Sequence, residues 1–432
     1  MEHPKPSAPP AVQWIARTLE ESGYETWAVG GAVRDVLLGR PVGDWDLATR
    51  ATPKEVRKLF KRTIPIGIDH GTVGVLARDG TMYEVTTFRK DVETDGRHAV
   101  VSFADTVEDD LARRDFTVNA VAWHPLREQL LDPFGGVSDL HNLVLRTVGA
   151  PRERFREDYL RILRALRFAG LFHLEIEGGT WDALCGLVEH VASLSAERVR
   201  EELLKVLGGD PDPARSLELY AGSGALRALY PELDALRASD SAVQGVDRWT
   251  LSVATTTELP AGRPLLRLAA LLRELAQEEA ARVLFRLKLS NVQIDETALR
   301  CSAVPLPPPE AEDRDFRRWL STYEPDRLSA LARLDRAAAR AVGRLGGPDR
   351  TEEIVASWRR ARQVRAAAPP LAVGDLALDG RGLISLGLRP GPGFGRILDA
   401  LLDWVLDDPG RNTRELLAER ALELAESDAT LG

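Results

Sequence analysis

Cysteine is scarce: 432 residues contain two, Cys185 and Cys301, too few for a disulfide framework and in keeping with a reducing cytoplasm. Histidine is scarce as well. Seven occur and none follows His190, which excludes a histidine-based metal site beyond that point. No apolar run approaches the roughly 18 residues of a membrane span, so no membrane partner is expected. The first ten residues hold four prolines and no apolar stretch, unlike a secretory signal. Surplus positive charge is missing too. Fifty-seven Lys and Arg against 66 Asp and Glu leave a net charge of −9, which excludes a chain that coats nucleic acid by bulk charge and leaves only local basic patches. No repeat of fixed period is found. What remains is an ordinary globular composition, 44% hydrophobic and 28% charged, long enough for two to four domains.

The first ~145 residues mix strand and helix signals, and nearly everything after them reads as helix. Residues 24–29 predict a strand that ends at Gly30-Gly31, followed by a helix from Ala32 to near Gly39. A second strand is expected over about 44–48. Thr52-Pro53-Lys54-Glu55 has the form of a capping box opening a helix to about Lys61. Strands at about 72–77 and 82–88 flank the turn signal Asp79-Gly80. Residues 89–101 are polar without a helical period and read as a mobile loop. Beyond residue 151, Leu160, Leu163 and Leu166 recur at helical spacing, and Leu203, Leu204 and Leu207 do so in a second long helix. Pro305-Leu306-Pro307-Pro308-Pro309 reads as an extended linker, and later breaks are expected at Gly346-Gly347-Pro348, Pro369-Pro370 and Gly391-Pro392-Gly393. The expected fold is an α/β head with a mixed sheet, then all-α domains.

The densest chemical signal is Gly30-Gly31-Ala32-Val33-Arg34-Asp35, followed by Asp44-Trp45-Asp46. A glycine pair between strand and helix lets backbone N–H groups approach a phosphate, and the helix N-terminus favours negative charge. Arg34 in the first turn can grip the same anion through two hydrogen bonds. Asp44 and Asp46, two apart on a strand, point to one face. Paired carboxylates of this kind suit hard cations such as Mg²⁺ that also take phosphate oxygens. Glu84 lies between Tyr83 and Val85 and faces away from both. If its strand lies beside that of Asp44 and Asp46, three carboxylates converge in the way two-metal phosphoryl transfer needs. Each feature taken singly is an ordinary turn or exposed carboxylate; the order of all of them is what points to chemistry.

Gly30–Asp35 with Gly43-Asp44-Trp45-Asp46-Leu47-Ala48-Thr49 resembles the signature of the class II nucleotidyltransferases, the CCA-adding enzymes and bacterial poly(A) polymerases. The resemblance continues through Arg113-Arg114-Asp115-Phe116-Thr117-Val118-Asn119-Ala120, Asp132-Pro133-Phe134-Gly135-Gly136 and the run Arg154–Phe168. It covers about 24–207 and is weaker at Gly391-Pro392-Gly393. It implies a polymerase-β-like nucleotidyltransferase head over 23–146 behind an N-terminal extension of 1–22. A neck over 147–208, a helical body over 209–304 and a tRNA-binding tail over 305–432 would follow. It further implies Asp44 and Asp46 as metal ligands, Glu84 as the third catalytic carboxylate, and Gly31 and Arg34 on the triphosphate. Arg114, Asp115 and Asn119 would serve the sugar and the chemistry, with Mg²⁺ as cofactor.

Asp158 and Arg161 are three apart in a run read as helix, where an intrahelical salt bridge is the plain expectation. The resemblance instead assigns them to the Watson–Crick edge of the incoming base. Carboxylate beside guanidinium matches the exocyclic amine and ring acceptor of cytosine and of adenine, and opposes guanine and uracil. Arg164 and Arg167 extend the same face. Between Arg146 and Arg167 stand seven arginines and three acids, a local surplus that marks a nucleotide and RNA contact. Poly(A) polymerases typically carry a Gly-Arg-Arg-Phe-type segment where this chain has Gly67-Ile68-Asp69-His70-Gly71-Thr72-Val73; at His70 itself a structural hydrogen bond is the expectation. Enzymes that add only two cytidines lack most of the stretch equivalent to 89–101, present here with Arg89, Asp91, Asp95, Arg97 and His98. The resemblance therefore implies addition of C, C and A to tRNA from CTP and ATP in the cytoplasm. The alternatives are an A-adding enzyme that follows a separate CC-adding one, a poly(A) polymerase, or a catalytically silent RNA-binding module.

Overall fold

The computed structural model describes residues 7–67, 71–94, 99–301 and 304–427. They form two compact units, one of residues 1–234 with 285–288 and one of 235–284 with 289–432. The first opens with helix α1 (Pro10–Glu21), then strand β1 (Thr26–Val29), α2 (Gly31–Leu37), β2 (Asp46–Thr49) and α3 (Pro53–Leu59). β3 (Thr63–Gly67), β4 (Thr72–Leu76) and β5 (Met82–Thr87) follow, then the pair β6 (Arg89–Thr94) and β7 (Ala99–Phe103). α4 (Val107–Ala112), β8 (Ala122–His124), β9 (Gln129–Leu131) and α5 (Gly136–His141) complete the head. Seven strands make one sheet in the order β3-β4-β5-β2-β1-β8-β9. The β2–β5 pair is parallel and its neighbours antiparallel, so the sheet is mixed, as expected. Trp27, Val29, Ala48, Phe88 and Ala122 form a core with Val107 and Leu111 of α4. Glu55 receives the Thr52 N–H at 2.7 Å, fixing the start of α3 where the capping signal placed it.

Two local expectations are corrected. Residues 89–94 and 99–101 lie in strands, not in a loop: β6 and β7 pair antiparallel, with Arg89 opposite Phe103. They form a two-stranded sheet of their own, separate from the seven-stranded one. Asp95, Arg97 and His98 lie outside the described residues, as do Asp69 and His70. The run 154–168 is likewise not one helix. It is α6 (Pro151–Glu157) and α7 (Leu160–Leu171), with Asp158 extended between them at φ −156°, ψ 106°. The Asp158 carboxylate accepts the Leu160 N–H at 3.0 Å, a local bond that competes with helix continuation.

α8 (Gly178–Leu187) and α9 (Ala196–Gly209) continue the first unit. The second unit contains helices Arg248–Thr257, Pro264–Leu272, Asp313–Ser321, Leu328–Arg344, Thr351–Ala366 and Gly393–Asp407, with breaks at the three expected Gly/Pro sites. Phe316, Trp319, Leu331 and Trp358 form one of its cores, and Leu306 packs against them. The proline-rich stretch begins beside a pinned residue: Val304 donates its N–H to the Tyr323 hydroxyl and accepts from the Trp319 indole.

Candidate active site

A cleft of about 800 Å³ opens on the first unit, and all twelve site residues named from the sequence line it: Gly31, Arg34, Asp44, Asp46, Glu84, Arg114, Asp115, Asn119, Asp158, Arg161, Arg164 and Arg167. The sheet brings the carboxylates together. Leu47 of β2 stands opposite Val85 of β5, so Asp46 and Glu84, one residue earlier on each strand, are side by side on the cleft face. Asp44 precedes β2 and is not in a strand; Trp45 between the two aspartates is buried while both of them are exposed. The alternation that the sequence suggested therefore holds without the strand. Asp46 is open to the cleft yet hemmed in by protein. Burial, then Glu84, against the pull of Arg114, and then Asp44 push its pKa up to about 6.

The glycine pair joins β1 to α2. Gly30 has φ 75°, ψ −131°, a left-handed conformation that favours glycine, and a Cβ there would come within 2.9 Å of the tip of the Arg114 guanidinium. Arg34, in the first turn, is only 8% exposed. Its Nη1 donates to Asn119 Oδ1 at 2.7 Å, its Nε and Nη2 donate to Asp35 Oδ1, and the Phe172 ring centroid lies 4.2 Å away. Asn119 passes the linkage on, donating to Asp115 Oδ1 at 3.0 Å. The other carboxylate oxygen of Asp115 accepts Arg164 Nε at 2.8 Å and Nη2 at 2.7 Å. Burial alone would raise the Asp115 pKa, but Arg164 and the bonds from Asn119 and the Phe116 N–H hold it below the ordinary carboxylate value. The sugar motif named from the sequence is thus a continuous network, Arg34–Asn119–Asp115–Arg164, joining the glycine turn to α7.

Asp115→Asn is expected to lower stability at pH 7 by about 3 kcal/mol, the lower end for breaking a buried pair because Arg164 is partly open to the cleft. A carboxylate with a depressed folded-state pKa adds stability above its unfolded value, near 3.9, and loses it as pH falls through the folded pKa. The gap between variant and wild-type urea midpoints should therefore close in acid. A gap independent of pH would contradict the charge assignment.

Asp158 and Arg161 both face the cleft but do not pair with each other. Asp158 Oδ2 accepts Arg198 Nη2 at 2.7 Å, while Arg161 is held by Glu157 and by the Arg154 and Arg113 carbonyls. The intrahelical bridge expected from spacing is absent because Asp158 has left the helix. The surplus of arginines over 146–167 is also reduced by acids from elsewhere: Arg146 pairs with Asp139, Arg164 with Asp115 and Arg167 with Glu202. Reading by segment missed these partners. Glu202 lies 35 residues from Arg167 and Arg198 lies 40 from Asp158, and no local pattern joins them. Asp110, 1% exposed, was also missed. It accepts from Arg113 and Arg114 three and four residues on, a spacing that could have been noticed.

Among the described residues no three carboxylate, histidine or cysteine side chains close into a protein-only metal cage. That fits a hard cation which one or two carboxylates hold and substrate phosphates complete. The crowded Asp46 carboxylate has the negative charge such a cation relieves, and Arg114 Nε is buried without a hydrogen-bond partner. The donor set fits a divalent ion on the sheet wall with anions facing the guanidinium wall.

Residues 26–146 match the family described as Poly A polymerase head domain, and 173–237 match one described as probable RNA and SrmB-binding site of polymerase A. A CCA-adding enzyme of Geobacillus kaustophilus is 36% identical over 407 residues, 93% of each chain. The chain belongs to the CCA-adding enzyme family. Another member, from Lactobacillus delbrueckii subsp. bulgaricus, is 34% identical over 94% of this chain and 95% of its own. The crystal structure of the Bacillus stearothermophilus CCA-adding enzyme in complex with CTP superposes with a TM-score of 0.77, at 32% identity over 98% of this chain and 100% of that one. The Thermotoga maritima CCA-adding enzyme complexed with tRNA, 22% identical, shares the fold at a TM-score of 0.54 over 96% of this chain and 94% of its own. The protein is accordingly a nucleotidyltransferase of a family that uses a divalent metal. Among the described residues no helix is long and apolar enough to cross a membrane.

Proposed function

We propose that this protein adds C, C and A in turn to the 3′ end of tRNA, taking CTP and ATP and releasing pyrophosphate in the cytoplasm. The observation that carries the reading is one cleft lined by Asp46 and Glu84 of the sheet, by Asp44 just before β2, and by Arg34, Arg161, Arg164 and Arg167. The near full-length similarity to CCA-adding enzymes, one of them crystallised with CTP, supports the choice of reaction. Asp44 and Asp46 would hold Mg²⁺, which when bound polarises the α-phosphate and the attacking hydroxyl. Glu84 steadies the nucleophile side. Gly31 and Arg34 grip the triphosphate, and Asn119 and Asp115 hold Arg34 and Arg164 in place. Asp158 and Arg161 present an acceptor beside donors to the base. Each carboxylate oxygen of Asp158 has two lone pairs and spends one on Leu160 or Arg198, so acceptor capacity remains for an exocyclic amine.

We keep the division into head, neck, body and tail as part of this proposal, with RNA held in the helical domains by shape and phosphate contacts. Exposed Arg333, Arg336, Arg359 and Arg362 along helices Leu328–Arg344 and Thr351–Ala366 line one groove and supply charge for such contacts. The deciding assay offers tRNAs ending before CCA, after C or after CC to each labelled NTP and sequences the products. Extension of the CC-ending tRNA alone would mean A-adding, and long A tails on general RNA would mean poly(A) synthesis.

Removing 90–100 is expected to stop addition after CC and leave C addition largely intact. The hairpin base is closed by the Ala104 N–H on the Phe88 carbonyl at 2.8 Å, so the head core is not opened. Equal loss of both steps would instead reveal a general substrate contact.

A further inference from the structure

The sheet face that carries Glu84 continues outward over β4 and β3. Ile64 stands opposite Gly74, and Gly74 opposite Glu84, so the three form one row across three strands on that face. Met82, two residues before Glu84, shares the face. A Cβ at Gly74 would come within 2.7 Å of Ile66 Cδ1 and 2.9 Å of Met82 Sδ, so both side chains lie over the glycine. Ile64, Ile66 and Met82 are nonetheless 45%, 43% and 43% exposed. The result is an apolar shelf, continuous with the cleft through Glu84. A further strand is a poor occupant, because Pro65 lacks an N–H and the ladder shifts register between Pro65 and Gly67.

We propose that this shelf seats the 3′-terminal base of the acceptor RNA, a subsite that rests on the reading of the cleft as one that extends an RNA end. In-line displacement puts the nucleophile and the leaving group on opposite sides of the reacting phosphorus. Gly31 and Arg34, the triphosphate grip, lie at the β1–α2 side of the carboxylates, and Glu84 lies on the β4–β3 side. The attacking 3′-hydroxyl therefore comes from over β4, with its base reaching β3. The terminal base differs at each addition, so a seat that read hydrogen-bond edges would fail at some step. An aliphatic and thioether surface accepts the π-face of any base.

The test uses the full-length protein with Ile66→Ser and Met82→Ser together, both exposed positions, and tRNAs whose terminal nucleotide is intact or abasic. For intact acceptors the KM for tRNA should rise about tenfold while the KM for NTP stays within about twofold. The wild type should lose about tenfold in kcat/KM on the abasic acceptor, and the double variant should lose little more, because the contact is already gone. An unchanged KM for tRNA, or an abasic penalty as large in the variant as in the wild type, would overturn the subsite. So would a variant that differs only by turning a dimer into a monomer in sedimentation. A wild type that extended no RNA at all would instead overturn the reading beneath it.

Discussion

Replacing Asp44 or Asp46 by alanine is expected to abolish incorporation of both nucleotides while tRNA binding persists. Either change removes a carboxylate from the cleft, where crowding has already raised Asp46 to about 6 and where, on the proposed reading, a divalent ion and the α-phosphate would meet. The loss acts on the chemical step, and a fall of about a hundredfold or more, some 2.7 kcal/mol in the barrier, is the minimum expected. On the proposed reading RNA is held mainly in the helical domains, so the dissociation constant for tRNA should stay within about twofold. Single-turnover rates and filter binding on the same preparations separate the two quantities. Retention of more than about a tenth of the wild-type rate, a deficit under ~1.4 kcal/mol, would remove these residues from the metal site.

The second large effect concerns choice of base. Asp158→Ala combined with Arg161→Ala should raise U and G incorporation relative to C and A by about tenfold or more, since each mismatched buried group costs about 1–3 kcal/mol. The double change removes both the matched bonds and the clash that excludes the wrong bases. The structure takes away the simplest competing explanation, because the two side chains are held by Arg198 and Glu157 and not by each other. Measuring kcat/KM for all four NTPs on one tRNA decides the matter. A uniform fall for all four would mean that the pair supports the fold or binds substrate without reading it.

How far these residues could be found without coordinates depended on whether the signal was local. The glycine pair, Arg34 and the alternation Asp44-Trp45-Asp46 are short-range features, and they survived even though β2 begins only at Asp46. Glu84 was conditional on β5 lying beside β2, a pairing of residues 38 apart in the chain that side-chain pattern does not specify. The break at Asp158 was hidden because no glycine or proline marks it; the aspartate makes it by capturing the Leu160 N–H. The hairpin at 89–103 read as a loop because its strands pair only with each other. Resemblance located Arg114, Asp115 and Asn119, yet the reason for their grouping is tertiary: Asp115 holds Arg164 on α7, and Asn119 holds Arg34 on α2.

Seven cationic side chains lining the cleft are engaged in ion pairs: Arg34, Arg113, Arg114, Arg161, Arg164, Arg167 and Lys205. A cleft so arranged is a poor scavenger. Free orthophosphate or any stray polyanion must compete with acids already in place, and a compact anion meets fewer of the guanidiniums carried by α2 and α7 than an extended one does. Only a ligand long enough to bridge them gains enough to offset the exchange of partners. The same pairing keeps each guanidinium aimed before anything arrives, so that capture requires little reorientation. Tolerance of abundant cellular anions and readiness for an extended one thus follow from a single arrangement of charge.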